Sequence, residues 1–235
     1  MNQNRWAIIV SAGLVLAALV FGLFFYAARK SDETIRVVGY ATEEFEADIV
    51  KWSFNLSVMV PLNGLESGYE KINDQLETFK SLWNSKDIPV KEMNIQPVQV
   101  QKQYGEYGKI VGHILQQNVY VISEDVDAVE QIAVNPVEFT RRGLAFEYSN
   151  IEYFSSTLPE IKKQLLAKAT MNARERAEEI IGATENRIKK ILSARAGVFQ
   201  ITEPFSTDVA GYGIHTTSTR KKTIKVTVSA AFAIE

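Results

Sequence analysis

The sequence predicts an α+β domain, with a mostly antiparallel sheet whose hairpins are separated by helices packed on it, preceded by one N-terminal transmembrane helix. Three observations predict this class. A long uncharged stretch opens the chain, several segments alternate apolar and polar residues with period two, and two segments between them carry helical spacing. Alternation is typical of half-buried strands, and helical spacing is typical of amphipathic helices. We therefore expect the hairpins and helices to share one core.

The first element is the apolar stretch "WAIIVSAGLVLAALVFGLFFYAA", 23 residues without a charge between Trp6 and Ala28. A helix crosses the hydrocarbon with about 20 apolar residues, whereas the apolar part of a signal peptide usually has about 7 to 15. We therefore predict an uncleaved anchor over residues 1–30. A removed signal peptide and a buried core helix remain the alternatives. Trp6 and Tyr26 are placed to lie at the two membrane interfaces.

The orientation of this anchor is less clear from charge. Arg5 precedes the apolar stretch, and Arg29 and Lys30 follow it. The excess of positive charge on the C-terminal side favours a cytoplasmic domain. A resemblance given below favours the opposite orientation.

The next elements are two strands and a helix. Ile35–Thr42 is strand-like, and residues 50–60 alternate so that Trp52 and Phe54 share an inner face. The two strands predict a hairpin with acidic residues at its end. Over residues 65–83 the apolar positions are spaced four and three apart, which predicts an amphipathic helix with its aromatic residues in the core.

The remaining elements are predicted by the same patterns together with Gly, Pro and capping residues. They are a hairpin of residues 96–104 and 109–123 joined by "GEYG", a short helix ending at 134, a strand over 144–153, a helix over 157–182, a strand over 187–202 interrupted near Gly197, and a terminal strand over 224–234.

The helix over 157–182 carries alanines at every fourth position, Ala169, Ala173 and Ala177. Small residues in one stripe predict that a neighbouring element approaches this helix closely. Residues 203–222, "EPFSTDVAGYGIHTTSTRKK", form a polar, Gly- and Thr-rich stretch that we predict to be a mobile loop within a single domain of residues 31–235.

Composition excludes several classes of function. The chain has no cysteine, so thiolate metal sites, disulfides and cysteine nucleophiles are absent. Outside the first 30 residues it has 23 basic and 28 acidic side chains. A mildly acidic domain is a poor candidate for binding nucleic acid.

Motifs for catalysis are also missing. The sequence has no Walker loop, no dinucleotide-binding glycine motif, no zinc-protease motif and no nucleophile elbow. Its two histidines, His113 in a predicted strand and His215 in the predicted loop, have no carboxylates at metal-ligand spacing, so we interpret His113 as a hydrogen-bonded strand residue and His215 as an exposed one. We expect no catalytic residue and no cofactor.

One acidic segment is the exception. In "VVGYATEEFEADIVKWSFNLSV", residues 37–58, strand alternation places Glu44, Glu46 and Asp48 on one face and Glu43 with Phe45 on the other. Three carboxylates on one face could hold a hard cation such as Ca²⁺. The same residues suit a solvated strand end that prevents edge-to-edge pairing. The solvated end is the preferred interpretation, and the metal site is the alternative.

Several of these segments together resemble the SIMPL domain family. They are the apolar N-terminal stretch, the segment of residues 37–58, "NIQPVQV", the alanine-spaced "AKATMNARERAEEIIGA" and "SARAGVFQITEP" before the terminal strand. The resemblance covers about residues 34–235 and implies an α+β domain of the bacterial cell envelope, in the periplasm or at the cell surface. It also implies assembly into homo-oligomers and a link to oxidative-stress tolerance, and it supplies no catalytic residues.

Two functions are therefore expected from the sequence. The first is a non-enzymatic protein anchored in the bacterial inner membrane, with its domain outside the cytoplasm, acting as a homo-oligomer or through contacts with envelope proteins. The second is a metal-dependent enzyme or cation-binding module that uses Glu44, Glu46 and Asp48.

Overall fold

The computed structural model describes residues 3–29 and 33–235. The first range is a single helix, α1 (Gln3–Arg29). The predicted boundary between anchor and domain, after Lys30, lies outside the described residues, as do the side chains of Arg5 and Arg29.

Helix α1 matches the predicted apolar helix. Its window Ile9–Tyr26 has a mean hydropathy of 2.4, and none of that window is buried. By length and composition the helix could cross a membrane. A signal sequence would satisfy the same test, so both interpretations of the segment stand.

The other elements lie within residues 33–235. In chain order they are β1 (Thr34–Glu46), β2 (Ile49–Pro61), α2 (Leu65–Ser85), β3 (Glu92–Ile95), β4 (Gln99–Tyr104), β5 (Ile110–Ser123), α3 (Val126–Val134), α4 (Val137–Thr140), β6 (Glu147–Phe154), α5 (Leu158–Ile181), β7 (Ile188–Ala196), β8 (Gln200–Thr202), β9 (Ile214–His215) and β10 (Lys221–Ile234).

These elements form two five-stranded sheets, which confirms the α+β class. One sheet has the order β1-β10-β8-β9, with β7 also paired to β10. The other has the order β3-β5-β2-β6, with β4 also paired to β5. Every pairing with a described register is antiparallel except that of β8 with β9.

The chain divides into two compact units. The first comprises residues 1–40, 168–197 and 227–235, and the second residues 41–167 and 198–226. Three elements, β1, α5 and β10, contribute residues to both units.

The first unit is built on the close approach predicted from the alanine stripe. Ala173 and Ala177 of α5 are fully buried and pack with Val37 of β1 and Phe232 of β10. A Cβ atom added to Gly39 would lie only 2.3 Å from the backbone oxygen of Ala169 and the backbone nitrogen of Ala173. Strand and helix therefore meet backbone to backbone, which only a glycine facing alanines allows.

The second unit has an aromatic core between the β2-containing sheet and helices α2 to α4. The rings of Trp52 and Phe54 on β2 lie 4.5 Å apart, and Phe79 and Trp83 of α2 pack against them. All four side chains are buried, so the predicted core role of Phe79 and Trp83 is confirmed. Two positions of the predicted α2 stripe, Leu65 and Tyr69, are exposed instead.

Several predicted elements have the expected partners. The β4–β5 hairpin is present, with a 3₁₀ turn (Glu106–Gly108) at its tip. Asp125 caps α3 by accepting a hydrogen bond from the Ala128 amide at 3.0 Å. The predicted interruption at Gly197 separates β7 from β8, and a Cβ there would lie 2.6 Å from the Thr227 hydroxyl.

The predicted hairpin at the acidic segment is wrong. β1 and β2 belong to different sheets, and the two residues between them pass from one sheet to the other. The Ala47 amide donates to the carbonyl of Arg220, and the Asp48 amide donates to that of Phe154 in β6. Alternation shows which face of a strand is buried but not which strand lies beside it, so the pattern could not exclude this arrangement.

Candidate functional site

The three candidate acids are all exposed but make different contacts. Glu44 and Glu46 are exposed on β1, while their neighbours Glu43 and Phe45 are half-buried, as the alternation predicted. Asp48 is exposed just after the strand.

Glu46 belongs to an ion-pair network centred on Arg220. The Arg220 Nε atom lies 2.6 Å from a Glu46 carboxylate oxygen, and Nη1 contacts Asp127 and lies 3.7 Å from Glu130 of α3. The hydrogen bond with Asp127 raises the pKa of Arg220. Because the guanidinium neutralises Glu46, this carboxylate already has a cationic partner within the protein.

Asp48 binds the segment that leads into α5. One carboxylate oxygen accepts from the Ser156 amide at 2.7 Å, and the other accepts from the Ser156 hydroxyl. Burial acts to raise the pKa of Asp48, but these hydrogen bonds and the charge of Lys91 outweigh it, so the pKa is lowered. The carboxylate thus behaves as a cap for a turn.

No metal-binding group is formed by these acids. Among residues 3–29 and 33–235, no three His, Asp or Glu side chains are arranged to hold a metal ion. The structure therefore places Glu46 and Asp48 in separate hydrogen-bonding and ionic contacts, and leaves Glu44 on the exposed strand face.

The two histidines also occupy separate places. His113 lies on β5, opposite Val60 and Lys102, and its buried Nδ1 atom has no hydrogen-bond partner among the described residues. His215 is exposed on β9. Its pKa is lowered by partial desolvation of the imidazole and by the positive charges of Lys162 and Lys222.

A groove in the second unit was not predicted from the sequence. It has a volume of about 690 Å³ and lies between the end of α2 and helices α3 and α4. Apolar side chains contribute to its lining, among them Ile88, Ile132 and Val137. Its polar lining includes Arg141 and the ion pair of Lys86 with Glu138, and the Lys86 ammonium lowers the pKa of the Glu138 carboxyl.

A second unpredicted feature is the apolar content of residues 203–213, which we call the exposed loop. The sequence pattern marked this stretch as polar, yet three of its side chains are large, apolar and turned to solvent. Phe205 is 96% exposed, Val209 71% and Tyr212 91%. Large apolar side chains gathered in one exposed segment mark a candidate binding surface.

The exposed loop is held in a defined conformation by hydrogen bonds from the Gln200 side chain to its backbone. The Gln200 side chain donates to the carbonyl of Ala210 at 2.8 Å and accepts from its amide at 3.3 Å. The base of the loop is closed by the parallel pairing of β8 with β9. Phe205 adopts φ 65°, a conformation that large side chains rarely take outside functional or strained sites.

The structure thus defines an α+β domain that follows an apolar helix long enough to span a membrane. Among the described residues of the chain, no group of side chains is arranged to bind a metal ion. The chain belongs to the SIMPL family, described as protein of unknown function (DUF541), whose pattern it matches over residues 35–232. This match confirms the resemblance found in the sequence. No curated protein matches the chain significantly.

Proposed function

We propose that this protein is a non-enzymatic, membrane-anchored protein of the bacterial cell envelope that acts through self-assembly. The observation that carries the proposal is the exposed loop, where Phe205, Val209 and Tyr212 are at least 71% exposed on a backbone held by Gln200. A preformed apolar surface loses little conformational entropy on binding, which favours a contact with another protein.

The location of the domain is part of this proposal. Helix α1 serves as a single-pass anchor in the inner membrane, and the family resemblance supports a domain outside the cytoplasm, although the charges of Arg29 and Lys30 favour the other side. A C-terminal reporter that is active only in the periplasm tests this. Reporter activity confined to the cytoplasm would contradict the orientation without affecting self-assembly.

The self-assembly is tested by measuring the mass of the full chain in detergent by light scattering after size exclusion. We expect a discrete mass of several copies that persists on dilution. A single-copy mass at every usable concentration would overturn the proposal.

The alternative, a cation site, is tested by calorimetric titration with Ca²⁺, Mg²⁺, Mn²⁺ and Zn²⁺. Heat of binding that disappears in the Glu44→Ala, Glu46→Ala, Asp48→Ala triple variant would support a cation site.

A role in oxidative-stress defence rests on the family resemblance alone. Because the chain has no cysteine, such a role would not proceed through a thiol of this protein. We expect a strain that lacks the gene to be more sensitive to peroxide. We also expect a variant in which the exposed residues Met59 and Met171 are replaced by Leu to rescue that strain. Equal survival with and without the gene would remove this role.

A further inference from the structure

We propose that the exposed loop of one copy binds into the groove between α2, α3 and α4 of a second copy. The inference rests on the proposed self-assembly and names the two surfaces that would form the contact. Both surfaces belong to the second unit, so every copy presents one of each.

The loop supplies the apolar part of the contact. Its three large side chains fall within eight residues, and the hydrogen bonds of Gln200 to Ala210 hold the loop that presents them. Aromatic residues on rigid segments are typical anchors of protein interfaces because few rotatable bonds are immobilised on binding.

The groove supplies a receptor of suitable size and chemistry. Its volume of about 690 Å³ is within the range of about 300–1,000 Å³ found for sites that enclose ligands the size of a few side chains. Ile88 and Ile132 are buried, while Val137 is exposed. An aromatic ring entering the groove would therefore meet aliphatic groups and cover the exposed valine.

Charge favours the same pairing. The exposed loop contains Glu203 and Asp208 but no Lys or Arg, and the basic residues Arg220, Lys221 and Lys222 follow only after β9. The groove lining carries Lys86, Glu138 and Arg141, and because Lys86 pairs with Glu138, its net positive charge comes from Arg141, with Arg142 close by. An acidic loop is attracted to such a basic rim. The two acids would instead be repelled by an anionic lipid surface, which argues against the membrane as the partner.

The geometry of such a contact follows from the use of two different surfaces. A contact of loop with groove is heterologous, so each copy can bind one neighbour through its loop and another through its groove. When the two neighbours differ, the assembly is a closed ring or an open chain, whereas loops exchanged reciprocally between two copies give a two-fold dimer.

The absence of cysteine in the chain permits a direct test with the full-length protein in detergent. Val209→Cys is made in one preparation and Asn135→Cys, in the groove lining, in another. We expect a disulfide-linked pair under mild oxidation only when the two preparations are mixed. Tyr107→Cys, with a side chain 96% exposed at the tip of the β4–β5 hairpin, is the matched control and should not link to Asn135→Cys.

Substitutions test the energetics of the same contact. We expect Phe205→Ser or Tyr212→Ser to raise the dissociation constant between copies about 30-fold, the size of an aromatic hot spot. Asp208→Lys and Arg141→Glu should each weaken assembly, and the chain carrying both should recover it. This recovery separates a lost contact from a damaged fold, because two unfolding changes would not compensate each other.

The outcomes are distinguishable from failure of the proposed function. A wild-type chain that is monomeric overturns self-assembly itself. A wild-type oligomer that keeps its mass in Phe205→Ser and gives no mixed disulfide overturns only the loop-and-groove contact. Linkage of Val209→Cys chains to each other would show an isologous contact instead. Quenching of a fluorophore at that cysteine by brominated lipid would show that the loop lies in the membrane. Both the Val209→Cys self-linkage and the quenching would contradict the loop-and-groove contact.

Discussion

At the scale of single residues, Lys222 is a buried lysine of the second unit. It is only 2% exposed, and its ammonium donates to the carbonyl of Thr216 at 2.7 Å. No carboxylate of the described residues forms an ion pair with it in the structure. A buried charge without a counter-charge is costly, and burial lowers the pKa of Lys222 from its ordinary value of 10.5.

This pKa predicts how stability depends on pH. Between the lowered pKa of the folded protein and 10.5, the unfolded chain binds more protons at Lys222 than the folded chain does, so stability rises with pH. In Lys222→Met this contribution is absent. We therefore compare the free energy of unfolding of the wild type with that of Lys222→Met. We expect the wild-type value to increase relative to the variant as the pH rises toward 10.5, by at most about 1.4 kcal/mol per pH unit.

The measurement is urea unfolding of the full chain in detergent, followed by tryptophan fluorescence at several pH values. Lys221→Met is the control, because Lys221 is the preceding residue and its side chain is exposed. If Lys222→Met and Lys221→Met change the free energy of unfolding by the same amount at every pH, burial of the Lys222 charge does not affect stability.

Asp48 also predicts that stability rises with pH, but in the acidic range. Its pKa in the folded protein is lowered below 3.8, so its stabilisation is fully present above that value and is lost as the pH falls through the folded-state pKa. We expect Asp48→Asn to lower the free energy of unfolding by about 0.5–1 kcal/mol at pH 7, a small effect because the carboxylate is exposed. The difference should vanish in acid.

Glu44→Gln is the comparison for Asp48→Asn, since Glu44 is another exposed acid, four residues earlier in the chain. It should unfold like the wild type when measured by the same fluorescence assay. Equal stability of Asp48→Asn and Glu44→Gln at pH 7 would show that the hydrogen bonds to Ser156 contribute nothing measurable.

At the scale of elements, local patterns predicted most strands and helices but not their partners. The alternation over residues 50–60 and the alanine stripe of α5 each report burial of one face, and both were found as expected. The sheet change at Ala47 and Asp48 depends on backbone contacts with Arg220 and Phe154, more than 100 residues away. No local pattern encodes a partner at that separation, so the hairpin prediction failed there.

The close approach of β1 to α5 gives the clearest prediction for an element. Gly39→Ala would place its Cβ 2.3 Å from backbone atoms of Ala169 and Ala173, and backbone cannot move aside as a flexible side chain can. We expect the free energy of unfolding to fall by about 3 kcal/mol, the upper part of the range for overpacked sites.

Gly211→Ala is the matched control, because a Cβ at Gly211 meets no atom within 4 Å. It should change stability by less than about 0.5 kcal/mol in the same unfolding experiment. A Gly39→Ala protein as stable as Gly211→Ala would mean that β1 and α5 are less closely packed than described.

At the scale of the whole molecule, the candidate surfaces emerge only from the folded structure. The groove joins Ile88 after α2 with Ile132 of α3 and Val137 of α4, and each residue alone looks like an ordinary core or surface position. The exposed loop was marked by its glycines and threonines as polar. The signal that could have identified it is the presence of Phe205, Val209 and Tyr212 in a stretch that has no strand or helix pattern to bury them.

This protein is proposed to work as an assembly of its own copies in the membrane. The most direct test is to extract the full chain, fluorescently tagged and at native abundance, into lipid discs without detergent and to count copies per disc by stepwise photobleaching. We expect several copies in most discs, and single copies for Phe205→Ser. One copy per disc for the wild type would contradict the proposed self-assembly.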